Sequence, residues 1–284
     1  MTVDWAAALQ LGESILDFVN GPFMAALLSA LAGAFAGVLG AQRLAERTAT
    51  KRELLQEYRY TNAAITLAFT LCNNILGAKK QYINPLTEKY EADRKAAHEG
   101  IAKAAKGEGP VNLHFQAPLT KFPVSELPVD AIKGLIYGKS QLNGRGLALI
   151  AMLEQSAIEF REALSARNHM IDEFATAGLE ESEFHRRYFG IRNSQGHTHH
   201  LFPDIVDAVH SYSNDVAFFS ALLTEDLIEH CEKLSSKLRS DFHHKTPKVT
   251  SVDFTGARSA GLIPPRDEYE SWLSGFAKHP EGAR

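Results

Sequence analysis

The sequence predicts an all-α protein: a transmembrane helix at the N-terminal side, running on into a long helix and a helical bundle. Three observations predict it. Pro22 to Ala41 carry no charge and one polar side chain, Ser29. Apolar residues beyond that stretch recur at helical spacing over several long segments. Strand-like alternation is confined to one short piece, Val111, Leu113 and Phe115.

The apolar stretch comes first. As a helix it rises about 30 Å, the thickness of a bilayer's hydrocarbon core. A cleaved signal needs a basic leading region, but Asp4, Glu13 and Asp17 precede this stretch and no Lys or Arg does. Arg43, Arg47, Lys51, Arg52 and Arg59 follow it. The positive-inside rule then places the N-terminus outside and the bulk of the chain in the cytoplasm, as in a single-pass inner-membrane protein. Residues 1–20 read as an amphipathic surface segment with Trp5 near the interface. Asn20, Gly21 and Pro22 break it from the span at 21–42.

Small residues pattern the span. Ala25, Ser29, Gly33, Gly37 and Ala41 stand at every fourth position. Such a face lets helix backbones approach closely in lipid, where packing drives association. It predicts a homo-oligomer in contact with membrane lipid. Beyond Gly37 the positions Ala41, Leu44, Thr48, Lys51, Leu55, Tyr58, Asn62, Ile65, Phe69, Cys72 and Leu76 keep a three-four alternation. An intersubunit coiled coil and an intrachain core fit this stripe equally. The helix is expected to end near Gly77.

The remaining elements make up a cytoplasmic domain at 43–245 and a tail at 246–284. Residues 86–106 are charged and Ala-rich, a solvated helix. Gly107, Gly109, Pro110, Pro118, Pro123 and Pro128 forbid a long helix across 107–128, which reads as an irregular or extended insert. Helices resume at 129–137, at about 146–177, and from Pro203 to about Phe242. In the last of these Thr224 is a candidate cap for a second helix beginning at Glu225. A short helix after Pro265 is expected to bury Tyr269, Trp272 and Phe276 and so dock the tail.

Composition narrows the function. The 284 residues carry a net charge of −4, so any anion site must come from local clustering. The two cysteines, Cys72 and Cys231, show no metal-type spacing. The sequence has no P-loop, no nucleophile elbow, no kinase set and no dinucleotide fingerprint. A non-enzyme that needs no cofactor is the reading this favours.

The densest local cluster is EFHRRYFGIRNSQGHTHHLFP, residues 183–203. His185, Arg186, Arg187, Tyr188, Arg192 and His197 are its candidate ligand-binding residues. Guanidinium groups pair with phosphates and aromatic faces stack on bases. Gly190 and Gly196 would let a ligand approach the backbone. Glu181–His185 and Glu183–Arg187 pairs are the plain structural alternative, with Arg192 and the histidines left over. Lys79 and Lys80 read either as complements to a helix C-terminus or as a second part of an anion site. His197, His199 and His200 are weak metal candidates, lacking the ligand set of a zinc site. His243 and His244 read as a solvated helix end. Arg167, Asn168, Asn73 and Asn74 read as structural polar contacts.

The segment AQRLAERTATKRELLQEYRYTNAAITLAFTLCNNILGAKKQ, directly after a small-residue span, resembles the membrane effectors of bacterial anti-phage systems. In architecture the chain is most similar to the Hailong-type effector. That resemblance implies a homotetramer held inactive by short single-stranded DNA, which a partner nucleotidyltransferase makes. Loss of the DNA releases membrane disruption and growth arrest. The resemblance assigns no residue a role. Two rivals stand beside it: a membrane-anchored metal-dependent hydrolase using the 197–200 histidines, and a non-catalytic membrane-tethered scaffold that pairs through 42–76.

Overall fold

A computed structural model of the chain describes residues 21–107, 115, 117–142, 144–193 and 195–276. The amphipathic reading of 1–20 and the alternating piece at 111–114 lie outside these residues. The all-α expectation holds. Helix α1 spans Pro22–Ala78, a π-helical turn Lys79–Ile83, α2 Asn84–Ala105, α3 Val129–Lys139, α4 Arg145–Thr176, α5 Glu181–Phe189 and α6 Leu201–Phe242. The tail adds α7 Thr255–Ser259, a 3₁₀ turn Arg266–Tyr269 and α8 Glu270–Ser274. Among the described residues the one β feature is an isolated antiparallel bridge between Arg192 and Thr198.

Contacts divide the chain into two compact units, meeting between Leu55 and Gln56. In the first unit the side chains from Ala25 to Thr50 are exposed. A Cβ added at Gly33, Gly37 or Gly40 would meet nothing within 4 Å. Among the described residues this chain has one helix long and apolar enough to cross a membrane, and its apolar window is uncovered.

The second unit is a helical bundle. Helices α4 and α6 form its most extensive packing pair. Leu149, Ile150 and Leu153 of α4, Val216, Leu223 and Leu227 of α6, and Ile65, Ala68 and Leu71 of α1 are all buried. Burying such side chains contributes roughly 1.5–3 kcal/mol each. The question left open by the heptad stripe is settled for Tyr58, Ile65, Cys72 and Leu76, which face this intrachain core. Both cysteines are buried and free. The thiol of Cys72 points at the Ala217 carbonyl and that of Cys231 at the Tyr58 carbonyl, both at 3.9 Å.

Several expectations need correction. The α-helix ends at Ala78, as expected near Gly77, but the backbone stays helical: it passes through the π turn directly into α2, which begins at Asn84 with Pro85 in its first turn. Proline there lacks only an N–H that an α-helix leaves unpaired at its start. No second helix begins at Glu225. Thr224 is buried inside α6 and donates to the Ser220 carbonyl at 2.7 Å, so its hydroxyl is satisfied within the helix and caps nothing.

The tail docks as expected. Tyr58 donates to the Pro247 carbonyl at 2.6 Å, and Thr250 bonds to Asn62. Phe254 and Ile263 are buried. The Tyr269 ring stacks on Phe218 at 3.7 Å, and Trp272 packs edge-on to Phe219. Tyr269 and Trp272 are half-buried and not buried outright, and Phe276 is exposed. Phe276 touches Trp272 but stays 36% exposed.

The insert has no helix or strand from 117 to 127, and two α4 side chains hold it. Asn168 accepts from the Phe122 N–H at 3.0 Å and donates to the Phe122 carbonyl at 2.8 Å. Arg167, 1% exposed, donates to the Thr120 carbonyl at 2.9 Å and lies 4.3 Å from the centre of the Phe122 ring. The expected structural contacts of this pair are therefore met.

Candidate functional site

Helix α5 and the loop after it hold the basic cluster. The α5 sequence ESEFHRRYF puts Phe184, Tyr188 and Phe189 on the inward side and the charges outward. Arg186 pairs with Glu183 at 2.7 Å, and Arg187 bonds to Glu183 at 2.8 Å and Glu173 at 3.4 Å. The Arg187 hydrogen bond holds the Glu183 carboxyl below the usual carboxylate range. Both arginines thus already have carboxylate partners. Being half-exposed, these pairs contribute little stability and remain open to exchange.

Tyr188 cannot stack on a ligand. It is 3% exposed, lies against Phe202 with ring centres 4.7 Å apart, and its carbonyl accepts from Tyr90 at 2.8 Å. It belongs to an aromatic core with Tyr90, Phe174, Phe189 and Phe202. His185 is half-buried, edge-on to Phe115 at 5.7 Å.

The glycines serve the chain and not a ligand. Gly190 ends α5 in the left-handed region at φ 67°, ψ 38°, and it is buried. A Cβ there would lie 3.0 Å from Pro203 Cγ. Gly196, at φ 87°, turns a tight loop. Asn193 organises that loop, accepting from the N–H groups of Gln195 and His197 at 3.0 and 2.9 Å. Arg192, expected to be left over, donates through Nε to the Gly196 carbonyl at 2.8 Å. Its side chain is nonetheless exposed, as are His197, His199 and His200. Among the described residues no group of three His, Cys, Asp or Glu side chains could hold a metal ion.

Lys79 lies elsewhere. It is 0% exposed, and its ammonium donates to Asn214 Oδ1 of α6. Neither half of the sequence reading fits it, because the backbone stays helical there and the side chain points inward. Lys80 is exposed.

The Lys79 bond fixes a chain of protons. An ammonium only donates, so the Asn214 oxygen faces Lys79 and its amide nitrogen faces His210 Nε2 at 3.3 Å. That nitrogen must accept, so the neutral imidazole keeps its proton on Nδ1, which is buried without an acceptor. Burial first, and then Lys79, push the His210 pKa down. Burial likewise lowers the Lys79 pKa to about 8. A cavity of about 690 Å³ opens beside this chain, lined by His210, Asn214, Phe218, Arg258, Arg266 and Glu268 among others. Arg258 and Arg266 share the Glu225 carboxylate at 2.6 and 3.1 Å.

A second cavity, of about 430 Å³, lies where the π turn meets the insert. Asn73, Asn74, Gln81 and Tyr82 line it from one side and Phe122, Ser125 and Leu127 from the other. Asn73 and Asn74 are exposed here, so their expected structural role does not hold. Sequence reasoning missed this site. Its one signal was an Asn-Asn pair on an otherwise apolar helix, shortly before a proline-rich insert.

No protein-family model, no curated protein and no solved structure matches this chain.

Proposed function

We propose that this protein is a self-associating, single-pass membrane protein whose helical domain controls the state of its membrane helix. One observation carries the reading: an apolar helix with Ala25, Ser29, Gly33, Gly37 and Ala41 on one face, every one of them exposed in the single chain. In lipid such a face is satisfied by another helix that approaches closely, and a second copy supplies it. The basic residues that follow favour an N-terminus outside and a cytoplasmic bundle at the inner membrane.

The architectural resemblance extends this to an anti-phage effector that opens or disrupts the membrane under control of an anionic nucleotide or single-stranded DNA. On the bundle, the exposed Arg192 with His197, His199 and His200, flanked by Arg186, is the surface that fits such a ligand best. Tyr188 and Lys79 leave that list, since both are buried. Control requires the ligand to bind two states of the protein with different affinity.

Expression in bacteria carrying a potential-sensitive dye tests the membrane part. Wild type should depolarise cells, and Gly33→Leu with Gly37→Leu should not. Equal depolarisation by both would remove the role of the small-residue face. Binding of oligonucleotides over a salt series tests the ligand part. Arg186→Glu with Arg192→Glu should flatten the salt dependence, and unchanged affinity removes this surface.

A further inference from the structure

We propose that the cavity between the π turn and the insert binds an uncharged planar nitrogen heterocycle of nucleobase type. The inference stands apart from the membrane reading and from the basic surface on α5. It rests on what lines the cavity and on how the lining is held.

The lining contains no Asp, Glu, Lys, Arg or His. An anion or cation would therefore be desolvated there without a charged partner, which is unfavourable. The floor is apolar: Ile75, Ile83, Phe160 and Leu164 are buried. At the rim stand three primary amides, Asn73, Asn74 and Gln81, all exposed. Each amide carries two donors and an acceptor, the pattern that matches a ring edge presenting both. Tyr82 and Phe122 add two aromatic faces, with ring centres 5.6 Å apart and planes at 40°. Tyr82 is 43% exposed, so part of its ring is open to a third one. A cavity of about 430 Å³ suits a ligand of one or two rings.

The walls are pre-organised. Phe122 is fixed by both Asn168 hydrogen bonds and by the Arg167 guanidinium against its ring. The opposite wall is a π turn, a geometry that recurs at functional sites because its wider helix re-aims side chains. Here Gln81 and Tyr82 of the turn line the cavity, while Lys79 points inward to Asn214. The Phe122 wall is held before a ring enters, which limits the ordering cost of binding.

The same ring chemistry occurs in a free nucleoside and in the base of a nucleotide. An uncharged cavity distinguishes them, because a phosphate gains nothing from it. Titration calorimetry of the detergent-solubilised full-length protein with adenosine, guanosine, cytidine and thymidine, and with their 5′-monophosphates, tests this. At least one nucleoside should saturate a single site per chain, and its monophosphate should bind within about threefold. Two variants check the location. Gly77 lines the cavity with open space where its side chain would be, so Gly77→Leu fills the mouth from a helix that tolerates it. Gln81→Leu removes an exposed amide. Each should weaken binding at least tenfold while the thermal midpoint holds. Saturation by none of the four nucleosides overturns the proposal. So does binding that survives both variants, or a monophosphate that binds more than tenfold tighter than its nucleoside.

Discussion

Lys79 of the π turn donates its buried ammonium hydrogen bond to Asn214 of α6. Asn214 is its hydrogen-bond partner, and the Glu268 carboxylate supports the charge from farther off without offsetting burial. That relationship has a pH signature. The folded pKa, about 8, lies below the ordinary 10.5, with burial as the main cause. Below pH 8 both folded and unfolded chains carry the proton, and the folded state bears the desolvation cost. Between about pH 8 and 10.5 the unfolded lysine still binds a proton that the folded one has released. Stability from this group therefore rises with pH across that window, by at most about 3 kcal/mol. Buried Tyr188 and Cys72, with pKa values raised to about 12 and about 11, oppose it as they ionise first in the unfolded chain. The measurable quantity is thus a difference. Denaturant midpoints of wild type and Lys79→Met should converge as pH rises from 8 to 10, with the variant at least as stable at pH 7. Parallel profiles would contradict a desolvated ammonium.

The Asn168 clamp on Phe122 gives a second expectation. Asn168→Ala removes two hydrogen bonds and leaves the Phe122 N–H and C=O dependent on water. The expected loss is about 1–3 kcal/mol. It should be accompanied by faster proteolytic cleavage within 117–127, a segment with no secondary structure of its own. Arg167→Met separates packing from charge. It keeps the volume and removes a buried guanidinium whose Nε has no partner. A change smaller than that of Asn168→Ala is expected, since an apolar replacement of a buried, poorly compensated charge is often neutral.

Tail docking rests on Tyr269, whose hydroxyl donates to Asp215 at 2.5 Å while its ring stacks on Phe218. Burial holds the Asp215 carboxyl above its usual range. Tyr269→Phe keeps the stack and drops one charge-assisted hydrogen bond, a loss of roughly 1.5–3 kcal/mol. Tyr269→Ala also removes the half-buried ring from Phe218 and should lose more than Tyr269→Phe does. Hydrogen exchange at 262–276 distinguishes the two. It should speed up strongly in the alanine variant and little in the phenylalanine variant.

The helices were legible because their apolar periods are long, and α4 and α6 lie within two residues of where those periods place them. The site was less so. Tyr188 reads as a stacking face and Lys79 as a helix-end or anion-site cation, but the aromatic cluster around Tyr90 and the packing against α6 bury them. Lys79 stands three residues after Leu76, on the three-four stripe itself, so its burial is encoded locally. Tyr188 is claimed by partners distant in sequence, Tyr90 and Phe202, which no local pattern shows. Thr224 shows the same limit on a smaller scale. A threonine caps or back-bonds according to whether the backbone beyond it stays helical, and here burial on all sides of α6 keeps it so. Arg192 looked unpaired because its partner is a backbone carbonyl, which composition does not reveal.

The helix ends of α5 and α6 both turn through the left-handed region, and they invite opposite substitutions. At the end of α5 the position is Gly190, at φ 67°, packed against Pro203. Gly190→Ala meets both the left-handed strain of an L-residue and a 3.0 Å contact, so a loss of about 1–3 kcal/mol is expected. At the end of α6 it is His243, at φ 49°, where the N–H groups of His243 and His244 close onto the Arg239 and Leu238 carbonyls. His243 is exposed, so a side chain there suffers the strain without gaining packing. His243→Gly should therefore stabilise the protein by roughly 0.5–1 kcal/mol, despite the greater freedom of glycine in the unfolded chain. Chemical denaturation of both variants checks the pair. Stabilisation by Gly190→Ala, or destabilisation by His243→Gly, would show that backbone conformation does not set the stability of these two ends.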